Sequence, residues 1–447
     1  MRTLFRYILL VLIVLFVGAC SVEKPYDDPS AVVGERRYTV MLYGSGGGLD
    51  NADEHMINYL RKLDIPANIN VVGQFKWSLG YHSDVSDGKG GVSRFKYNHS
   101  TRRNDFESYA SPSYRVDSAD NLAEFITWAR SEAPADEYLI IFIGHGNGYH
   151  PSYDGLTRGI LRDDMYSTYL GIEAIREAFA ATEAKFSLTM MMCCLMNTME
   201  YVTELARYTD YYYASNHVMV LTMLELKTLV EGLMKYGKDD EAVFSATKYL
   251  IDALYDSSTE QFPDNEVLDA TLTRTSSVSV LNKAIKGFVD RLSWIYNQQI
   301  WIGAEEMRES YGFDISELDT TLAESYYLIG PYLSTTNSSV TEFQWYRNVY
   351  TYDIVDAITR LATKSSDSTL KSCADKVVAA ASEAIAYQRS YQLSGVDRVY
   401  YGVTLVNGTE WTKYGYDKAN YEALAFDKAT GWSRLLKLNN AQFQHSK

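Results

Sequence analysis

Cysteine is scarce in this chain: four among 447 residues, at positions 20, 193, 194 and 373. Three thiols beyond residue 20 do not make a disulfide framework, and vicinal Cys193 and Cys194 are strained against bonding each other. At least one thiol therefore stays free. Basic charge is short as well, with 42 Lys and Arg against 57 Asp and Glu, a formal charge of −15 and no basic stripe. Such a surface repels phosphates, so no nucleic-acid partner is expected. Metal-ligand patterns are missing: there is no Cys-x-x-Cys, His-Glu-x-x-His or His-x-x-Glu-His, so neither a metal nor a cofactor is expected. The glycine loop Gly44-Ser-Gly-Gly-Gly48 has neither the P-loop spacing with its lysine nor the G-x-G-x-x-G turn, which leaves a flexible turn from strand to helix. No internal repeat stands out, and no Pro- or Ser-rich linker divides the chain. The region beyond residue 222 is thus expected to pack on what precedes it rather than swing freely.

The N-terminal apolar run, Ile8 to Val17, is too short to span a bilayer. Arg2 and Arg6 precede it, and it ends in Val17-Gly18-Ala19-Cys20, which resembles a bacterial lipobox. Residues 1–19 read as a lipoprotein signal peptide and Cys20 as the lipidated first residue of the mature chain. Residues 20–36, polar and proline-bearing, read as a tether off the membrane. Removing residues 1–19 takes away two positive charges and no acid, so the mature charge is −15 − 2 = −17. The 37 tyrosines point the same way, to an extracytoplasmic protein. The expected location is the bacterial cell envelope, lipid-anchored, periplasmic or surface-exposed.

Along the rest of the chain, strands are predicted at Arg37 to Tyr43 and Asn68 to Phe75, with a helix from Asn51 to Leu63 between them. Residues 77–118, rich in glycine, serine and aspartate, read as an insertion with one hairpin around Val92 to Tyr97. Asp117-Ser-Ala-Asp120 caps a helix to Glu132 that carries Leu122, Phe125, Ile126 and Ala129 on one face. Alternating strands and helices up to Ala214 predict a doubly wound, largely parallel sheet. Beyond residue 222 the helical period dominates, over Leu224 to Tyr236, Asp240 to Tyr255, Val280 to Tyr296 and Leu370 to Tyr391, with a strand at Val399 to Val406.

Two stretches organise the chain. Tyr138 to Gly146 and Phe186 to Glu200 each open as the apolar run of a buried strand; the first ends in His145-Gly146, the second in Cys193-Cys194. Side by side and parallel, they bring imidazole and thiol to one sheet edge, where open α/β sheets place their chemistry. A thiolate attacks and an imidazole handles protons, the minimum set for nucleophilic catalysis. A buried structural cysteine is the commoner fate of the residue type. His150 and His217 lie near the same edge but lack the Gly-His-Gly context.

Gly144-His145-Gly146 after one apolar strand, and Cys194-Leu195-Met196-Asn197 with Glu200 after the next, resembles the clostripain family of cysteine peptidases, in the caspase-like clan. The separation, 194 − 145 = 49 residues, is close to the roughly 50 between histidine and cysteine in caspases. Tyr38 to Tyr43, Ala133 to Tyr138, Ala214-Ser215 and Gly431-Trp432 resemble further segments of the family. The resemblance implies an α/β, caspase-like fold, a mostly parallel sheet flanked by helices. Its core would cover residues 37–221, with a helix-rich C-terminal region, 222–447, packed on it. It implies Cys194, directly before Leu-Met, as nucleophile, with Cys193 turned to the opposite face as packing. Cys194 would enter a helix from Leu195 to Tyr208, whose positive end favours thiolate. His145 is the base, and the N–H groups of Gly146 and Cys194 are the oxyanion donors. The activity implied is that of a cell-envelope cysteine endopeptidase acting on peptide or protein substrates through a Cys-His dyad. A catalytically silent binding lipoprotein that kept the fold, and a solute- or glycan-binding protein of unrelated fold, are the alternatives.

The chain departs from the family where the family reads Asp-Ala-Cys, an aspartate that helps receive a basic side chain. Here the residues are Met192-Cys193-Cys194, and Asn216 follows Ala214-Ser215 where the family often has glutamate. A pocket of Met192, Ser215 and Asn216 is expected to be uncharged. Family members are commonly clipped between the histidine and cysteine strands. The matching loop, Asn147 to Thr168, is exposed and carries Arg158 and Arg162. With Met192 in the pocket, the protein is expected not to cut itself efficiently after either arginine.

Overall fold

The alternating, β-branched run after Arg37 makes strand β1 (Tyr38–Ser45), buried along its whole length. The computed structural model describes residues 37–149, 159–216, 219, 223–261, 269–299, 351–363, 365, 367–390, 402–406 and 418–435. After β1 come α1 (Asp50–Asn58) and β2 (Ile69–Lys76). Two hairpins follow, β3 (Leu79–Ser83) with β4 (Ser86–Lys89) and β5 (Val92–Asn98) with β6 (Arg103–Ala110). Next are α2 (Ala119–Glu132), β7 (Glu137–Ile143) and a short hairpin of β8 (Ile160–Asp163) and β9 (Thr168–Leu170). Then come α3 (Ile172–Ala181), β10 (Phe186–Met192), α4 (Met199–Leu205) and β11 (Thr209–Ala214). The C-terminal part supplies α5 (Glu225–Tyr236), α6 (Ala242–Gln261), β12 (Asp269–Arg274), α7 (Val278–Gln299), β13 (Thr351–Asp353) and α8 (Ile354–Thr363). It ends with α9 (Ser368–Ala384), β14 (Ile385–Ser390), β15 (Thr404–Val406), α10 (Lys418–Ala423) and α11 (Ala425–Thr430).

The main sheet runs β14-β12-β11-β10-β7-β1-β2-β5-β6. Its five central strands are parallel, and β5, β6, β12 and β14 flank them antiparallel. The chain passes from β1 outward to β2 and later returns to the other side of β1 with β7. That reversal is the switch point beside which open sheets bind their ligands. Along β10 the side chains alternate: Met191 and Cys193 enter the core formed with α2, α3, α4, α7, α8 and α9, while Met190 and Met192 enter the core formed with α1, α5 and α6. In α2 the Ser118 hydroxyl caps the Asn121 N–H, and Leu122, Phe125, Ile126 and Ala129 are buried as the period predicted. Each such fully buried large side chain contributes about 1.5–3 kcal/mol. Among the described residues no helix is long and apolar enough to cross a membrane.

The structure corrects several boundaries. Residues 77–118 are not a simple insertion, because β5 pairs with β2 and extends the main sheet. Val92, Phe95 and Tyr97 are buried there, while β6 covers the edge with Arg103, Asp105 and Glu107. The region beyond 222 is helix-rich but also contributes β12 and β14 to the sheet. The helix read as Leu370 to Tyr391 stops at Ala384, because the next residues pair with β12 and send Tyr387 and Arg389 to Asp252. Of the strand read at Val399 to Val406, residues 399–401 lie outside the described residues and Thr404–Val406 is strand.

Candidate active site

Strands β7 and β10 pair in parallel with Ile143 opposite Met192. His145 and Cys194 each lie two residues beyond those positions, at the same carboxyl edge. The two chain ends touch. A Cβ on Gly146 would lie 2.5 Å from the Cys194 carbonyl oxygen, 2.7 Å from Cys193 Cβ and 2.9 Å from the Cys194 nitrogen. Only glycine permits that approach, which sets the Gly146 and Cys194 backbones together. The Gly146 N–H has no backbone carbonyl partner among the described residues, and the Cys194 N–H lies against its own thiol.

His145 is half-buried, and its Nε2 lies 3.0 Å from the Gly47 carbonyl. A carbonyl only accepts, so Nε2 carries the hydrogen in the neutral ring and Nδ1 keeps its lone pair. Gly47 belongs to the glycine loop after β1 and is left-handed (φ +53), with its Cβ position 3.0 Å from His145 Cδ2. The sequence showed the loop but carried no signal for which carbonyl would orient the ring. Strand β8 holds the other side: Leu161 N–H donates to the His145 carbonyl (2.9 Å) and Asn147 N–H to that of Gly159 (3.2 Å). Ser45 Oγ in turn donates to the Arg162 carbonyl (2.7 Å). The buried pair of Lys76 Nζ and Asp163 (2.7 Å), with Tyr114 O as a second acceptor (2.6 Å), anchors β8 to the end of β2.

Cys194 is half-buried, and Met219 N–H donates to its Sγ (3.3 Å). Burial pushes the thiol up from its ordinary value; the Met219 amide opposes that shift without cancelling it. The expected helix end is absent here. Leu195 is left-handed (φ +63), and residues 196–198 stay non-helical, with Thr198 bridged to Thr404. Helix α4 therefore starts only at Met199, too far along to polarise the thiol. The intervening loop is pinned from afar. Asn197 Nδ2 donates to Asn216 Oδ1 (2.9 Å) and to the Gly402 carbonyl, and Thr404 N–H (3.0 Å) and Oγ1 (2.6 Å) donate to the Asn197 carbonyl. Cys193 is fully buried on the opposite face, with Sγ 3.7 Å from the Phe142 carbonyl, and burial raises its thiol well above the ordinary range.

Met192, Ser215 and Asn216 are all buried at the ends of β10 and β11. Met192 joins the core that packs α1 and α5, and those two helices bring an acidic group that was not read from the sequence. Asp53 of α1 is fully buried, and neither carboxylate oxygen has a hydrogen-bond partner among the described residues. Burial, then Asp50 and Glu225, push its carboxyl well above the usual carboxylate range. Cys20, His150, Arg158 and His217 lie outside the described residues; Arg162 is on β8, paired with Asp164 (3.4 Å). Among the described residues no group of His, Cys, Asp and Glu could hold a metal.

Three solved structures share this fold. An inactive zymogen C11 protease from Parabacteroides distasonis aligns over 90% of this chain and 99% of its own, at TM-score 0.59 and 14% identity. A secreted C11 cysteine protease from Bacteroides thetaiotaomicron, iotapain, aligns over 89% and 99%, at TM-score 0.57 and 14% identity. A secreted C11 cysteine protease from the same organism in complex with an irreversible peptide inhibitor aligns over 89% and 99%, at TM-score 0.56 and 15% identity. No curated protein matches the chain. The family model for the clostripain family, peptidase C11, matches residues 98–438, which take in both the histidine strand and the cysteine strand. The chain belongs to the clostripain family of cysteine peptidases.

Proposed function

We propose that this cysteine peptidase is an endopeptidase that cuts through Cys194 and His145, with the N–H groups of Gly146 and Cys194 as oxyanion hole. The observation that carries the reading is the enforced contact of Gly146 with the Cys194 backbone at the shared strand edge. Burial disfavours the free thiolate, so the reaction is written as beginning with transfer of the thiol proton to His145 Nδ1. The thiolate attacks the peptide carbonyl, and the oxygen's charge falls on the two amides. The imidazolium then protonates the departing amine, leaving an acyl-thioester on Cys194. His145 takes a proton from water as it attacks that ester, and the thiol is restored.

The pocket for the residue before the cleaved bond is formed by Met192, Ser215 and Asn216 and takes an uncharged side chain. A basic side chain is the second reading, supported by unpartnered Asp53 on a helix facing the same core as Met192. Peptide libraries varied at that one position decide between them. Selective cutting after apolar or small residues supports the first; cutting after Arg and Lys that Asp53→Asn abolishes supports the second. Under the first reading the loop at Arg158 and Arg162 is not self-cut. Intact mass of wild type and Cys194→Ala tests this, and clipping after either arginine in wild type alone contradicts it.

The lipobox supports a signal peptide over residues 1–19 and a lipid anchor on Cys20 in the cell envelope, with residues 20–36 as a tether. The iotapain relative is described as secreted, which agrees with an extracytoplasmic place.

A further inference from the structure

Across the carboxyl edge of the sheet the order is fixed: the Cys194 loop after β10, His145 after β7, the Gly47 loop after β1, then the segment after β2. At the last two positions lies a shallow depression with room for about one water, partly open to solvent, lined among others by Gly47, Trp77, Leu79, Gly90 and Met165. Leu79 and Met165 are two of the few large apolar side chains left exposed among the described residues, at 56% and 38%. Leu79 is braced by Gly90, whose Cβ position is 3.1 Å from Leu79 Cδ2, and Met165 by its N–H to Asp163 Oδ1 (3.1 Å). The charged groups at this place are already matched, Lys76 with Asp163 and Asp164 with Arg162. An incoming side chain therefore meets an apolar rim with no unpaired charge.

We infer that the rim of this depression, Leu79 and Met165, is the subsite on which the substrate's first or second residue after the cleaved bond lies, and that it favours an apolar side chain packed over it. The inference rests on the Cys194–His145 reading. The acyl part of the substrate stays bonded to Cys194 while the amine departs with a proton from His145, so the departing segment leaves on the histidine side. The depression begins at Gly47, whose carbonyl holds the imidazole, and reaches β2 two strand spacings from β7, about 10 Å. At about 3.3–3.6 Å per extended residue, the first two departing residues bring a side chain over it. Covering Leu79 and Met165 removes apolar surface from water, which gives the preference its sign.

The test uses the full chain, wild type and Leu79→Ser/Met165→Ser, both changes being at exposed positions that do not carry the fold. Quenched peptides share a set of residues before the cut and carry Leu or Gly at the first or second position after it. A peptidyl chloromethyl ketone, which covers only residues before the cut, reports capture of Cys194 independently. Wild type is expected to favour Leu over Gly by about tenfold in kcat/KM at one of the two positions. The double variant is expected to lose that preference while ketone capture stays at the wild-type rate. Capture with no preference in wild type, or a preference the variant retains, overturns the subsite alone. No capture and no cutting overturns the dyad reading and the subsite with it. A fall in sedimenting mass in the variant, with the preference intact, assigns the patch to a second copy of the chain and overturns the inference.

Discussion

His145 draws its support from the N-terminal half of the chain: Gly47, 98 residues before it, and Leu161 of β8, 161 − 145 = 16 residues after. The Cys194 loop is held from the other end of the molecule. Asn197 reaches Gly402 and Thr404, 205 and 207 residues away, and Gly402 N–H in turn reaches Asp353 Oδ2 (3.1 Å). One half of the site is thus built by the sheet and its own loops. The other is held by C-terminal segments, which would make that region part of the proposed catalytic apparatus rather than an appendage.

The sharpest way to break the comparison is at the point where the two halves meet. Gly146→Ala places a methyl 2.5 Å from the Cys194 carbonyl and forces the strand ends apart. Loss of one oxyanion donor alone costs about 10²–10³ in kcat, and kcat/KM is expected to fall at least that far. Retention of activity within tenfold, measured on a quenched peptide, contradicts the assigned oxyanion hole.

Next in size come changes confined to either half. Asn197→Ala removes the donor to Asn216 Oδ1 and to the Gly402 carbonyl, at about 1–3 kcal/mol for a buried polar group left unpaired. Both Tm and kcat are expected to drop. Gly47→Ala introduces a left-handed alanine, about 1–2 kcal/mol, with its methyl 3.0 Å from His145 Cδ2. Its main effect is on the imidazole: kcat is expected to fall about 10²-fold for a displacement near 1 Å, with KM little changed. Equal Tm losses in the two variants and no difference in kcat erase the distinction between the halves.

The legible parts of the sequence were those with a strong period or a short signature. The β7 and β10 runs, the capped α2 and the His-Gly and Cys-Leu-Met signatures were readable because burial on both sides makes a strand uniformly apolar and one-sided burial makes a helix amphipathic. Strands β12 and β14 were not. Asp-Ala-Thr-Leu-Thr-Arg has no sustained apolar run, and Ile385–Ser390 continues a helical pattern that only its pairing with β12 interrupts. Gly47 and Thr404 act through backbone groups and one hydroxyl brought from distant segments, which no local pattern reports. The helix end expected behind Cys194 failed for the same reason, since Thr198 bridges to a strand 404 − 198 = 206 residues later.

The smallest expected effect concerns Asp53. Its carboxyl is raised, so the stability tied to its neutral form is present at acidic pH and lost as pH climbs through the folded-state value. Asp53→Asn removes that loss. The variant's Tm, compared with wild type, is expected to gain on going from pH 4 to pH 8; an unchanged or inverted difference contradicts a raised Asp53.

The central claim is that Cys194, served by His145, is the nucleophile. Its most direct measurement is tryptic mass spectrometry of the full chain after reaction with an irreversible peptide inhibitor, in wild type, His145→Ala and Cys193→Ala. The account predicts an adduct on Cys194 in wild type and in Cys193→Ala, slowed at least about 10²-fold in His145→Ala, since base catalysis contributes about 10²–10⁴. An adduct on Cys193 or Cys373, or labelling of Cys194 at the same rate without His145, contradicts it.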